Sequence, residues 1–241
     1  MIKLRTASLS DIGHVRKQNE DRMIADQTAG LFGVADGVGG LPGGAQAAQQ
    51  AMDVIARAVL EVPAGTVPDL TAIIRQANDA VSELGRTINP IHGIGTTLTI
   101  GCLRGSHLQI GHVGDSRCYA WRAGQSTRLT EDHSVENEAR LKRARGETVF
   151  YHPSQRQALT RCIGQPPPLE IDLIERPLEA GDRYVFCTDG ITRLVSDQEL
   201  GEALAASWND PARSVRDIVE RALRRGGPDN ASAVLLVVDE T

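Results

Sequence analysis

The sequence predicts an α+β fold in which antiparallel β-sheets are covered by amphipathic helices. Three observations carry that expectation. Short apolar runs bounded by turn residues recur along the 241-residue chain and read as buried strands. Helical 3-4 spacing of apolar residues marks several longer segments. The order of these elements (strands, two helices, a meander, two helices, a last strand) does not alternate as βαβ units, which argues against a parallel doubly wound sheet.

Taken in order, residues 2–8 and 31–35 read as strands, with 16–22 in a polar loop between them. Ala45, Ala48, Met52, Ile55 and Val59 form the apolar stripe of a first helix. A second helix starts near Asp69, with Leu70, Ile73, Ile74, Ala77, Val81 and Leu84 on one stripe. Pro63, Gly65 and Pro68 punctuate the gap between the two. A β-meander is expected over 96–103, 108–113 and 117–121, turning at Arg104-Gly105-Ser106 and Gly114-Asp115-Ser116. Residues 134–160 are polar and open with a short helix-like stretch, and they read as an excursion from the core. Strands return at 171–175 and 183–188. Ser196-Asp197-Gln198-Glu199 is a capping box, and Asp210-Pro211 is an N-cap with proline at the first helical position. The helix after Asp210 carries Val215, Ile218, Val219, Ala222 and Leu223 on one side and stops at Gly226-Gly227.

Composition narrows the function. A hydrophobic fraction of 41% fills a sizeable core, and a formal charge of −5 argues against nucleic acid or anionic membranes as partners. No stretch reaches the length of a membrane span, and the first ten residues hold no apolar signal-peptide core. Cys102, Cys118, Cys162 and Cys187 are irregularly spaced, with no C-x-x-C pair. A reducing cytoplasm is expected, with no disulfide framework and no zinc site.

Three apolar runs stop at, or start from, an aspartate beside Gly or Asn: Asp36-Gly37, Asp189-Gly190 and Asp229-Asn230. Two of these aspartates sit at strand exits and one at a strand start. In an antiparallel sheet, exits and starts share an edge, so the three carboxylates converge at one end of a core. Clustered carboxylates repel, and a hard divalent cation is the usual reason to tolerate them. The alternative for any single Asp-Gly is a plain turn.

The order of motifs resembles the metal-dependent Ser/Thr protein phosphatases of the type 2C (PPM) family. The matching pieces run from Gly13-His14-Val15-Arg16-Lys17-Gln18-Asn19-Glu20-Asp21 through Val34-Ala35-Asp36-Gly37-Val38-Gly39-Gly40, Gly95-Thr96-Thr97 and Gly111-His112-Val113-Gly114-Asp115-Ser116-Arg117. They continue with Leu129-Thr130-Glu131-Asp132-His133-Ser134, Leu159-Thr160-Arg161, Cys187-Thr188-Asp189-Gly190 and Gly226-Gly227-Pro228-Asp229-Asn230. Each piece alone is weak, but eight in order from about residue 5 to 238 are specific. The resemblance implies a single domain over 1–241 with a four-layer αββα sandwich: two antiparallel sheets, helices on both outer faces, and a flap-like excursion at about 134–160.

It also implies the chemistry, which is hydrolysis of phosphoserine and phosphothreonine in proteins by water activated between two metal ions. An all-oxygen ligand set suits Mn²⁺ or Mg²⁺. By resemblance, Asp36 bridges the metals, Asp189 and Asp229 complete the first, and the Gly37 carbonyl binds the second with Glu20 close by, directly or through water. Bacterial members often bind a third, weaker ion through the residue matching Asp115. The alternative for Asp115 is a type I′ hairpin turn. Arg16 resembles the family's phosphate-gripping arginine, a role that suits bidentate guanidinium geometry. Its alternative is a surface salt bridge, and Asp21 is expected to anchor this loop rather than bind metal.

Animal members carry a histidine, the proposed general acid, where this chain has Val38. Many bacterial members are apolar there too, and Leu41-Pro42 stands where several of those place a histidine. The leaving-group acid is unassigned, with water on the metals as the default candidate. His133 is expected to anchor a loop. His14, His92, His107, His112 and His152 show no pairing that suggests a metal or triad.

The expected partners are phosphoproteins and a cognate Ser/Thr kinase or its targets, with no nucleic acid and no membrane. The expected state is a cytoplasmic monomer similar to small bacterial phosphatases of signalling or type VI secretion. Two alternatives stand beside this reading. One is a non-catalytic phosphoprotein-binding relative, which should have lost metal aspartates that this chain keeps. The other is an anti-sigma-antagonist phosphatase with the same site.

Overall fold

A computed structural model describes residues 2–39, 42–63 and 66–240. The leucine of Leu41-Pro42, Gly40 of the glycine-rich element and Gly65 of the interhelical gap lie outside the described residues. Two five-stranded antiparallel sheets face each other. The first has the order β1 (Lys3–Asp11), β10 (Ala231–Glu240), β9 (Arg183–Cys187), β6 (Arg117–Arg122) and β7 (Gln125–Arg128). The second has the order β2 (Asp21–Asp26), β3 (Leu31–Asp36), β4 (Leu98–Arg104), β5 (His107–Val113) and β8 (Asp172–Pro177).

Burial on both faces explains why β3 from Leu31 to Ala35 and β10 from Ala233 to Val238 are apolar. Phe32 and Val34 of β3 meet Phe186, Val234, Leu236 and Val238 between the sheets. The intervening Leu31 and Ala35 face α1 (Gly44–Leu60) and α2 (Leu70–Ile88) on one outer side. Ala233, Leu235 and Val237 of β10 face α5 (Asp197–Ala206) and α6 (Pro211–Arg224) on the other. The result is the expected αββα sandwich.

The helix ends follow the sequence signals. Asp69 Oδ1 accepts from Ala72 N, Asp210 Oδ1 accepts from Arg213 N, and Ser196 with Glu199 forms a complete capping box. Three expectations are corrected. The meander is not continuous: β4 and β5 pair in the second sheet, whereas β6 pairs with β9 and β7 in the first. Gly114-Asp115-Ser116 is therefore a crossing between sheets and not a hairpin turn. Residues 21–26, partly assigned to a loop, form β2, and 125–128 form β7. Both lie at the edges of their sheets; β2 mixes polar and apolar residues and β7 is polar throughout, so burial leaves little periodic trace in them.

Residues 134–160 hold α3 (Val135–Ala144) and a short 3₁₀ turn at Pro153–Gln155. The segment is tied at its base. Ser134 bridges Leu159, Val135 N donates to Ala158 O, and Thr160 N donates to His133 O. Among the described residues, no helix is long and apolar enough to cross a membrane.

Candidate metal centre

The two sheets open at one end onto a cavity of about 590 Å³ lined by Arg16, Glu20, Asp36, Asp115, Asp189 and Asp229, among others. Asp36 is the last residue of β3, in register with Asp21 of β2. Its backbone N–H donates to Thr97 Oγ1 (2.9 Å), and its carbonyl accepts from Thr96 Oγ1 (2.8 Å). The loop before β4 thus holds the end of β3. Asp189 opens the single-turn helix α4 (Asp189–Thr192) directly after β9. Asp229 lies two residues before β10, and the next residue, Asn230, pins the loop of 12–20. Its Nδ2 donates to the carbonyls of Ile12 and Gln18, and its Oδ1 accepts from Glu20 N.

Glycine is required at two positions here. A Cβ on Gly37 would lie 2.4 Å from the Gly44 backbone carbonyl. Gly13 has φ +78°, and a Cβ there would lie 2.3 Å from the Asp229 carbonyl oxygen. Both let backbone approach backbone where the carboxylates meet.

Burial pushes the Asp36 carboxyl well above the usual carboxylate range, and the charges of Asp21, Asp189, Asp115 and Asp229 push the same way. Burial likewise raises Asp115, to about 7, with Asp189 adding to it and Arg193 opposing it. Asp189 is raised by burial, against the pull of Arg193. Glu20 is raised by burial too, against the pull of Arg16. The cations present are guanidinium groups. Arg16 Nη2 donates to Asp229 Oδ2 (2.7 Å), and Arg193 pairs with Asp189. With those two carboxylates turned to arginines, no three His, Cys, Asp or Glu side chains among the described residues form a ready metal-binding cluster.

The donor set nonetheless fits divalent cations. It is made of oxygen, it carries more negative charge than its two arginines neutralise, and Asp189 Oδ1 is buried without a hydrogen-bond partner. Asp36, Asp189, Asp229, Asp115, Glu20, Gly37 and Arg16 all line this one cavity.

Asp21 is buried just behind it. Its Oδ2 accepts from Thr188 Oγ1 (2.9 Å) and Ser232 Oγ (2.6 Å), which ties β2 of one sheet to β10 and to the residue just after β9 in the other. Arg193, Thr97 and Asn230 were not singled out from the sequence. For Arg193, the one available signal was its spacing of four from Asp189, the i,i+4 distance of a helical ion pair.

His112, expected to have no pairing that suggests a metal or triad, stacks on His133, expected to anchor a loop, with ring centroids 4.7 Å apart. Gly114 N–H donates to His133 Nδ1 (3.1 Å), and Gly114 O accepts from His133 N (2.7 Å). His133 therefore holds the crossing that carries Asp115, which is a loop-anchoring position. Val38 also lines the cavity, with its N–H donating to Gly95 O.

Comparison with known proteins places this geometry. The protein phosphatase 2C family pattern matches residues 5–231. The serine/threonine protein phosphatase PstP of Mycobacterium tuberculosis is 36% identical over 239 residues, covering 98% of this chain and 45% of PstP. The chain thus spans a little under half the length of that relative. A putative 2C-type protein phosphatase of Streptococcus pyogenes is 32% identical over 235 residues, covering 94% of each chain. The catalytic domain of PstP, solved in complex with 2 manganese ions, superposes with a TM-score of 0.86 at 34% identity and full coverage of both chains. PppA, described as a key regulatory component of the type VI secretion system of Pseudomonas aeruginosa, superposes with a TM-score of 0.84 at 31% identity, covering 98% of this chain and 97% of PppA. With the pattern running over nearly all of its length and the sandwich shared, the chain belongs to the protein phosphatase 2C family.

Proposed function

We propose that this chain hydrolyses phosphoserine and phosphothreonine esters in proteins, using two divalent cations held at the open end of the sandwich. The observation that carries the reading is the convergence of Asp36, Asp189, Asp229 and Arg16 on one cavity within a 2C-type fold. Relatives across the length of the chain are named serine/threonine phosphatases.

Asp36, Asp189 and Asp229 with the Gly37 carbonyl would hold the ions, with Glu20 beside them. Two ions so held supply an activated water and neutralise the phosphate charge. The chain's own groups do the rest. Arg16 stands at the mouth of the cavity, 41% exposed at its side chain, and swings between Asp229 and two phosphate oxygens of the substrate. Thr96 and Thr97 fix the Asp36 backbone. Asn230 fixes the loop that carries Arg16 and Glu20. Val38 carries no proton, so the leaving serine or threonine oxygen takes its proton from water.

The ions are Mn²⁺ or Mg²⁺. The chain acts as a single domain over 1–241, with 134–160 as a flap beside the site. It works in the cytoplasm as a monomer and opposes a Ser/Thr kinase in bacterial signalling, with regulation of type VI secretion as one setting that the likeness to PppA supports.

Titration of stripped protein with Mn²⁺ and with Mg²⁺, on phosphoserine and phosphothreonine peptides, tests the reading. Activity is expected to rise from background on addition of metal and to vanish with EDTA. Full turnover in stripped protein would remove the mechanism. Tight phosphopeptide binding without turnover at saturating metal would leave a binding protein instead.

A further inference from the structure

Arg193 sits one turn beyond Asp189, at the C-cap of α4. Its Nη2 pairs with Asp189 Oδ2 and lies 3.6 Å from Asp115 Oδ2. It therefore bridges a carboxylate of the β9–α4 junction and one of the β5–β6 crossing. Asp115 and Asp189 are both nearly buried, while the Arg193 side chain is 36% exposed, reaching in from the surface. The neighbouring groups leave Arg193 as the cation of Asp115. Asp132, the other acid that bears on Asp115, is taken up by Arg117 (2.7 Å) and Arg128 (2.8 Å). Arg16 is engaged with Asp229. Arg193 also lines both the main cavity and an adjoining one of about 280 Å³ that runs beneath residues 134–160.

We propose that the Arg193 guanidinium is a built-in counter-ion that takes the place of a third metal ion at Asp115, so that the centre loads two ions and no more. A guanidinium stays protonated at every accessible pH, and its i,i+4 attachment to Asp189 keeps it at this edge. A divalent cation approaching Asp115 would meet that fixed positive charge within a few ångströms, in a partly buried setting where screening is weak. It would also have to compete for an oxygen that Arg193 already attracts. The same guanidinium draws on Asp189, so Arg193 sets the charge at one edge of the binuclear centre. It acts through these carboxylates and is a positioning residue. This proposal differs from the expectation that Asp115 takes a third, weaker ion. The inference rests on the two-ion reading of the site.

Calorimetric titration of metal-stripped protein with Mn²⁺, checked by metal analysis after ultrafiltration, separates the two. Wild type is expected to saturate at about two ions per chain, as a binuclear centre requires. Arg193→Ala and Arg193→Gln are expected to gain one further, weaker site. Arg193→Ala/Asp115→Asn and Arg193→Lys are expected to return to the wild-type count, because the first removes the oxygen and the second restores the charge. Circular dichroism and the unfolding midpoint establish that each variant is folded, and Arg193→Gln serves if Arg193→Ala is not. A wild-type protein that loads a third ion overturns the inference and leaves the binuclear reading intact. Variants that stay at the wild-type count overturn it too. A wild-type protein that loads fewer than about two ions fails the binuclear reading itself.

Discussion

Asp36 and Asp189 come from different sheets, and burial drives both towards their neutral forms. A carboxylate held in this way gains most from a cation, so removing one oxygen charge should weaken metal loading more than it disturbs the fold. Asp36→Asn and Asp189→Asn are each expected to lower kcat by about a hundredfold or more while leaving the circular dichroism spectrum unchanged. Near-normal turnover in Asp36→Asn would show the ions placed elsewhere.

His112 supplies a different test at this scale. Burial and the neighbouring His133 push its pKa from 6.5 down to about 3. In the unfolded chain the ring takes a proton below about pH 6.5, and in the folded chain it does not until about pH 3. The unfolded state therefore binds more protons across that window, and stability falls as pH drops through it, by about 1.4 kcal/mol per unit at the limit. Burial raises the carboxyls of Asp21, Asp36 and Asp115, which stabilises the metal-free fold in the opposite sense as pH falls, so the His112 contribution is read as a difference in EDTA. The midpoint difference between wild type and His112→Asn should shrink from pH 7 to pH 4, and a constant difference would show that His112 does not set this dependence.

The aspartates were legible because each closes or opens an apolar run. The His112–His133 stack was not, because the two rings are brought together from a strand and a distant loop. Arg193 is legible only once a turn of helix is known to start at Asp189.

Among the elements, those whose burial is one-sided and long were read correctly. The stripe of α2 and the caps of α5 and α6 appear in the structure where the sequence put them. The β5–β6 connection was misread because a tight Gly-Asp-Ser sequence fits a hairpin equally well. What separates the strands is packing: Cys118 and Ala120 of β6 lie between the sheets beside Phe186, and β6 pairs with β9.

Residues 134–160 remain polar along most of their length. Their buried contacts are few, with Asn137 and Ala139 on the inner side of α3. Arg143 donates to Val149 O and lies over Tyr151, so it holds the segment's own shape. Arg145 caps α3 and is exposed. Arg145→Ala is accordingly the cleaner probe of contact with substrate protein, and Arg143→Ala tests segment order as well. As a pair they are expected to raise KM several-fold for a phosphoprotein and to leave aryl phosphate hydrolysis within about twofold, because a small ester reaches only the metal site and Arg16. Equal loss on both substrates would mean that the segment supports the metal site. No loss on either would leave α3 a solvated surface helix.

At the scale of the whole molecule, the centre exists only because two sheets are held in one relative position. Asp36 belongs to one sheet, whereas Asp189 and Asp229 follow and precede strands of the other. Apolar packing between the sheets is strong but non-directional, and it leaves sliding inexpensive. The buried Asp21 adds a directional tie, since one of its oxygens accepts hydroxyl hydrogen bonds from both Thr188 and Ser232 across the gap. The same residue stands opposite Asp36 in the β2–β3 register, so the tie lies against the centre itself. Asp21→Ala would leave the buried Thr188 hydroxyl without its acceptor and Ser232 Oγ with Ser10 Oγ alone, at a cost of about 1–3 kcal/mol for a group left unsatisfied. Asp21→Asn keeps an oxygen for them and removes a buried charge that stands close to Asp189 and Asp229. Urea unfolding is therefore expected to show a lowered midpoint for Asp21→Ala, with Asp21→Asn close to wild type. If the tie also sets the spacing of the carboxylates, the Mn²⁺ concentration giving half-maximal activity should rise in Asp21→Ala by more than in a core variant of equal stability, such as one truncated at Val234 between the sheets. Equal shifts in the two variants would reduce Asp21 to a contributor to stability alone, and a shift confined to Asp21→Ala would make it the residue through which the sandwich fixes its metal centre.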